Sequence, residues 1–174
     1  MFFTASWVPS KVLGALCGFS MLWGFFLDAK MIPLDPPLIR IGGGIFDVNK
    51  EGRRKAQASL EYQWSPFVYK LRPMMGGFGT DQETLYFYFG LAFDIFFGKH
   101  VVLTPSFAPG LYFKGHGKNL GYLCEFRSAG EIAVVFAGQH RLGIQFYHIS
   151  NASLGYKNPG ANGLVLMLSI PLNY

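Results

Sequence analysis

Hydrophobic and polar positions alternate with a period of two along most of this chain. From Leu85 to Phe97 the odd positions are Leu85, Phe87, Phe89, Leu91, Phe93, Ile95 and Phe97, whereas Tyr86, Tyr88, Gly90, Ala92 and Asp94 occupy even ones. Between Gln57 and Trp64 the split is as clean, with Gln57, Ser59, Glu61 and Gln63 opposing Ala58, Leu60, Tyr62 and Trp64. A strand turns successive side chains to opposite faces, so this pattern predicts strands with one apolar face. The same parity predicts eight of them, over 39–48, 56–64, 67–78, 84–97, 100–113, 122–137, 140–152 and 162–172. No sustained 3.6-residue repeat follows Pro37.

The composition of the two faces decides the class. The polar faces collect Arg40, Glu61, Lys70, Arg72, Asp94, Glu125, Arg127, Glu131 and Arg141, five positive and four negative charges able to neutralise one another in a narrow interior. The opposite faces form a belt of Phe, Leu, Ile, Val and Pro. A soluble eight-stranded barrel or two-sheet sandwich would turn that belt inward. A polar lumen inside an apolar exterior is instead the pattern of an all-β, eight-stranded antiparallel transmembrane β-barrel of outer-membrane type. The two-sheet sandwich is the competing architecture. With the first strand rising from the periplasmic side, tight inner turns are expected at Ser65-Pro66, Gly98-Lys99 and Gly138-Gln139. Longer outer loops are expected at Asn49 to Lys55, Gly79 to Glu83, Lys114 to Gly121 and Ser153 to Ala161.

Composition narrows this further. The 174 residues suit one domain, and aromatics at 17% against charged residues at 14% exclude both a disordered chain and a coiled coil. A net charge of +5 suits anionic partners. Its basic residues divide between barrel interior and loops, so no nucleic-acid partner is expected. At the N-terminus, Lys11 precedes sixteen uncharged residues and then Asp28. That stretch is short for a spanning helix and reads as an export signal over 1–29, followed by a linker over 30–37 and the barrel over 38–174. An uncleaved membrane anchor is the alternative. After cleavage Cys124 stands alone. His100, His116 and His140 lack metal-ligand spacing, and the glycine-rich Gly115–Gly121 is not a nucleotide loop, so neither metal nor cofactor is expected.

Chemistry gathers at the end of the seventh strand. In RLGIQFYHIS (Arg141 to Ser150), His148 and Ser150 continue the apolar stripe of Leu142, Ile144 and Phe146. Asn162 precedes the outward positions Leu164, Leu166 and Leu168 of the last strand. Polar groups facing hydrocarbon are costly unless they serve something. A hydroxyl beside an imidazole, with a third group to orient the ring, is the arrangement of an activated serine nucleophile.

The stretch HISNASLGYKNPGAN, His148 to Asn162, with Glu125 to Arg127 and Arg141 to Gly143 upstream, resembles the PagL-type lipid A 3-O-deacylases, which are eight-stranded outer-membrane barrels. The resemblance covers about the last fifty residues. It implies His148 as general base, Ser150 as nucleophile, and Asn151 and Asn158 as polar residues of the site, with Asn158 a candidate oxyanion donor. It also implies lipid A of lipopolysaccharide as substrate, the outer membrane as location, and a monomer or homodimer. One departure stands out: the family carries Glu where this chain has Asn162. The expectation is therefore an outer-membrane serine esterase acting on lipid A, or a non-catalytic barrel that has lost the acidic triad member. Lys50, Arg53, Arg54, Lys55, Lys114, Lys118 and Lys157 fall in outer loops, where lipid A phosphates could be paired.

Overall fold

The computed structural model describes residues 35–49 and 54–172. The expected export signal, and Lys50 and Arg53 of the first outer loop, lie outside these residues. Nine strand segments run in chain order: β1 (Leu38–Phe46), β2 (Lys55–Gln63), β3 (Leu71–Thr80), β4 (Leu85–Phe93), β5 (Ile95–Phe97), β6 (Val101–Phe113), β7 (Cys124–Val135), β8 (Arg141–Ser150) and β9 (Ala161–Pro171). Both β4 and β5 pair with β6, so they form a single stave interrupted at Asp94. Every neighbour is antiparallel, and β1 pairs with β9 from Leu38↔Pro171 to Phe46↔Gly163. That pairing closes an eight-stranded barrel with no free edge, which hydrocarbon would not tolerate.

The lumen is filled rather than open. Arg40, Glu61, Arg72, Asp94, Glu125, Arg127, Glu131 and Arg141 are all buried. Arg40 bridges the carboxylates of Glu61 and Glu131 and donates from Nε to the Ser169 hydroxyl at 3.0 Å. Nearer the tight-turn end, Asp94 accepts from Arg72 Nε at 2.8 Å, Arg141 Nη1 at 2.9 Å and Thr104 Oγ1 at 2.8 Å. Toward the long-loop end an aromatic layer of Phe46, Phe78, Tyr86, Tyr112 and Tyr147 takes over. Phe78 lies 5.5 Å from Phe46 and 5.7 Å from Tyr147 between ring centroids. The exterior carries Leu60, Phe87, Phe89, Phe107, Ile132, Ile144, Phe146 and Leu166 in the open. Charge inside and hydrocarbon-like surface outside are the polarity of a membrane barrel.

Three details depart from the sequence pattern. The third strand begins at Leu71 rather than 67, because Tyr69 and Lys70 adopt left-handed backbone at φ 44° and 66°. The expected tight turn at Ser65-Pro66 is consequently a longer connection over 64–70. Lys70 therefore sits in that connection, where its Nζ meets Asp35 Oδ2 at 2.8 Å. Between β3 and β4 the loop expected over 79–83 is a short turn over 81–84, in which Glu83 N–H donates to Thr80 O at 3.1 Å and Thr80 N–H to Thr84 O at 3.0 Å. Asp35 to Pro37, the described end of the expected linker, packs on the same barrel end. There Pro36 O accepts from Arg72 Nη1 at 3.0 Å, and Pro37 O accepts from Leu172 N at 2.9 Å.

Candidate active site on the outer face

Register brings the polar outward positions into one row. On β7, β8 and β9 the pairings Ser128↔His148 and His148↔Asn162 set three polar residues side by side on the lipid-facing surface. One row nearer the long loops, Ser150 pairs with Phe126. His148 is exposed, whereas Ser150 and Asn162 are half-buried. His148 and Ser150, two residues apart, stand on the same face about 7 Å apart along the strand, a gap that an imidazole reaching toward a hydroxyl can close.

The imidazole is oriented. His148 Nδ1 lies 2.7 Å from Asn162 Oδ1. A carbonyl oxygen only accepts, so Nδ1 carries the proton and Nε2 keeps the lone pair that a general base requires. Gly160 guards the other side of the ring. It adopts φ 56°, and a Cβ built there would fall 2.8 Å from His148 Cε1 and 3.3 Å from Nε2. Glycine thus serves twice at this position, permitting the left-handed turn into β9 and leaving the imidazole its space.

The loop 151–160 after the serine is built on Asn151. Its side chain points inward and is fully buried. Nδ2 donates to Leu120 O and Lys157 O, both at 2.9 Å, with Glu125 Oε1 at 3.4 Å. Its backbone N–H donates to Asn158 Oδ1 at 3.1 Å. The side-chain Nδ2 and the backbone N–H of Asn151 therefore fix the loop, while its Oδ1 is buried without a hydrogen-bond partner among the described residues. Asn158 itself is exposed, and with Oδ1 occupied its Nδ2 is the group left to face a ligand. Ala152 and Ser153 continue in left-handed backbone at φ 50° and 64°, and Leu154 N closes the turn on Asn151 O at 2.9 Å. This curl returns the chain immediately beyond Ser150.

Of the residues singled out from sequence, His148, Ser150 and Asn162 meet on one surface, Asn158 stands beside them, and Asn151 braces the loop from within. Ser128 and Gly160 escaped the sequence pattern. Parity marks Ser128 as outward, but only the β7–β8 register makes it a neighbour of His148. Of the loop cations, Lys118 pairs with Asp47 Oδ1 at 2.8 Å, and Lys157 lies over the Tyr156 ring at 5.3 Å. Together with Lys55 and His116 they line a cavity of about 390 Å³ at the barrel mouth.

The barrel shares its fold with solved membrane β-barrels. The crystal structure of the outer membrane enzyme PagL superposes with a TM-score of 0.59 at 18% identity, covering 78% of this chain and 99% of that one. De novo designed transmembrane β-barrels superpose at 0.60 with 6% identity, over 81% of this chain and 98% of theirs. Neisserial surface protein A superposes at 0.58 with 7% identity, over 78% and 97%. Among curated proteins no sequence match is found. The profile of the lipid A 3-O-deacylase (PagL) family matches residues 45–171, from the end of β1 through β9 and so across both the barrel and the His148–Asn162 segment. On that match the chain belongs to the lipid A 3-O-deacylase (PagL) family, as an outer-membrane β-barrel.

Proposed function

We propose that this protein is a serine esterase that removes an ester-linked acyl chain from lipid A, working at the outer leaflet of the outer membrane. The observation that carries the reading is the His148 Nδ1–Asn162 Oδ1 pair, 2.7 Å long and facing hydrocarbon beside Ser150. With β1 rising from the periplasm, the long-loop end of the barrel faces the exterior. Ser150 then lies at the height of the lipopolysaccharide headgroups, and the substrate need not leave the membrane to reach it.

In the reaction, Ser150 Oγ attacks the ester carbonyl carbon while its proton passes to His148 Nε2. Asn162 holds the ring through Nδ1–H, and Asn158 Nδ2 is the donor for the oxyanion. Collapse breaks the bond to the sugar oxygen, which leaves with the proton from Nε2. Water then attacks the acyl-serine and gives its proton to Nε2. The intermediate collapses to free fatty acid, and Ser150 recovers its proton. Asn162 orients the imidazole as a carboxylate would, but offers the imidazolium less charge stabilisation. That neutral amide is also what favours a non-catalytic barrel as the second reading.

Covalent trapping tests the assignment. A fluorophosphonate with a lipid tail should add one phosphonyl group to Ser150 of the purified barrel, mapped by peptide mass. Ser150→Ala and His148→Asn should each abolish labelling and deacylation while retaining the heat-dependent gel shift of a folded barrel. Labelling that persists in Ser150→Ala places the nucleophile elsewhere.

A further inference from the structure

The cavity of about 390 Å³ at the barrel mouth plays no part in the proposed ester hydrolysis. Its size falls within the range of about 300–1,000 Å³ usual for small-molecule sites. Residues from every connection at the long-loop end converge on it. Phe46, a buried member of the aromatic layer at the end of β1, lines it from the lumen side, with Asp47 next to it. Lys55 opens β2, Gln82 comes from the turn before β4, Lys118 and Asn119 from the 114–123 loop, and Lys157 from the loop after Ser150. The rim is held in place. Tyr112 donates its hydroxyl to Lys118 O at 2.8 Å, and Asn119 joins Gly121 N at 2.9 Å to the Tyr156 hydroxyl at 2.8 Å. Among the described residues, three ammonium groups line the cavity against one carboxylate. Lys118 Nζ is matched by Asp47 Oδ1 at 2.8 Å. Lys55, half-buried, and Lys157, exposed, meet no carboxylate among the described residues, and Lys157 has only the Tyr156 ring at 5.3 Å. Asp47 itself is buried, and its Oδ2 has no hydrogen-bond partner among the described residues.

Two uncompensated cations call for an anion, and the rest of the lining selects which kind. A bare inorganic anion would satisfy Lys55 and Lys157 but would be repelled by Asp47 and leave the amides of Gln82 and Asn119 idle. A hydroxylated ring bearing one acidic group answers the whole lining. Its acid pairs with the lysines, its hydroxyls donate to carboxylate and amide oxygens, and its C–H face lies toward Phe46. We propose that the mouth cavity binds an acidic sugar, a carboxylated or phosphorylated unit of the saccharide that lipopolysaccharide carries beyond its lipid. The proposal rests on the esterase reading and deepens it by giving the substrate a second point of attachment, inside the barrel mouth rather than on the lipid face. The two places share a wall. Lys157 and Pro159 line the cavity, Asn158 lies between them, Lys157 O accepts from Asn151 Nδ2 at 2.9 Å, and Gly160 abuts His148. One molecule can therefore lie with its ester at Ser150 and its saccharide across the 157–159 segment.

Calorimetric titration tests this on the full Ser150→Ala barrel in micelles, where no turnover contributes. The probe is the soluble saccharide released from lipopolysaccharide by mild acid. Beside it are run the same saccharide with carboxylates reduced and phosphates removed, inorganic phosphate, and free lipid A in mixed micelles. The acidic saccharide should bind saturably, and the neutralised one about tenfold or more weakly. That comparison uses one barrel, so it does not depend on how any lysine variant folds. Combining Lys55→Gln with Lys157→Gln should weaken the acidic saccharide by a similar factor while the heat-dependent gel shift is retained. Absence of saturable binding, equal binding of both saccharides, or unchanged affinity in the folded double variant overturns the proposal and leaves the esterase reading standing. Inorganic phosphate displacing the saccharide at equal concentration overturns it in favour of a bare anion site. Free lipid A doing so overturns it in favour of the lipid's own phosphates. Deacylation that persists in Ser150→Ala overturns the esterase reading instead, and the binding result is unaffected.

Discussion

Replacing Asn162 by Glu tests the proposed catalytic constellation at the position where the resemblance to the PagL-type deacylases implies a glutamate. The amide oxygen already lies 2.7 Å from His148 Nδ1, so a longer carboxylate at this position can keep the contact while adding a full negative charge. At an effective dielectric of about 20 and a separation of about 4 Å, a unit charge stabilises an imidazolium by about 4 kcal/mol. His148 is exposed and Asn162 half-buried, so solvent screens part of this, and the carboxylate must itself be partly desolvated. About 1.4 kcal/mol should survive in the transition state, a tenfold gain in deacylation rate. Asn162→Leu removes the acceptor without adding a polar group, and leucine suits the lipid face alongside Leu164. The barrel should therefore fold as before while activity falls at least about a hundredfold, because nothing then selects the Nδ1–H tautomer. The assay is fatty-acid release from lipopolysaccharide in detergent, with folding read by the heat-dependent gel shift. Equal rates for wild type, Asn162→Glu and Asn162→Leu would refute the role given to Asn162.

Further expectations follow from neighbouring features. Gly160→Val sets a branched side chain against His148 Cε1 in left-handed backbone, and should lower deacylation at least tenfold while costing about 1–3 kcal/mol in urea unfolding; wild-type activity would show that the ring does not need this space. Arg40→Ala strands the buried carboxylates of Glu61 and Glu131 without their shared cation and should destabilise the barrel by about 3–5 kcal/mol in the same unfolding measurement; an unchanged midpoint would contradict the lumen network. In a Cys124→Ala background, His116→Cys should react with a membrane-impermeant thiol reagent on intact cells and Lys99→Cys should not; the reverse pattern would put the site at the wrong leaflet.

Much of the fold was legible because a membrane barrel writes its polarity into residue parity. Within their own strands, Arg40, Glu61, Arg127 and Glu131 alternate with Ile41, Leu60 and Ile132, and this demands a polar inside and an apolar outside. Parity fails where the backbone leaves the strand: left-handed Tyr69 and Lys70 extend the turn before β3, and nothing in their side chains announces it. Likewise His148, Ser150 and Asn162 share an outward parity visible in the sequence. Ser128 needed the β7–β8 register, a long-range pairing that no local spacing encodes. Asn151 follows the serine directly, yet the strand's alternation turns it inward, where it fixes the loop through Leu120 and Lys157 carbonyls.

The most direct test of the central claim is the mass of lipid A from Gram-negative cells expressing this barrel. The account predicts lipid A lighter by one ester-linked acyl chain with the wild-type protein, and full-mass lipid A with Ser150→Ala folded to the same level. Full-mass lipid A with the wild-type protein as well, or shortened lipid A with Ser150→Ala, would contradict it.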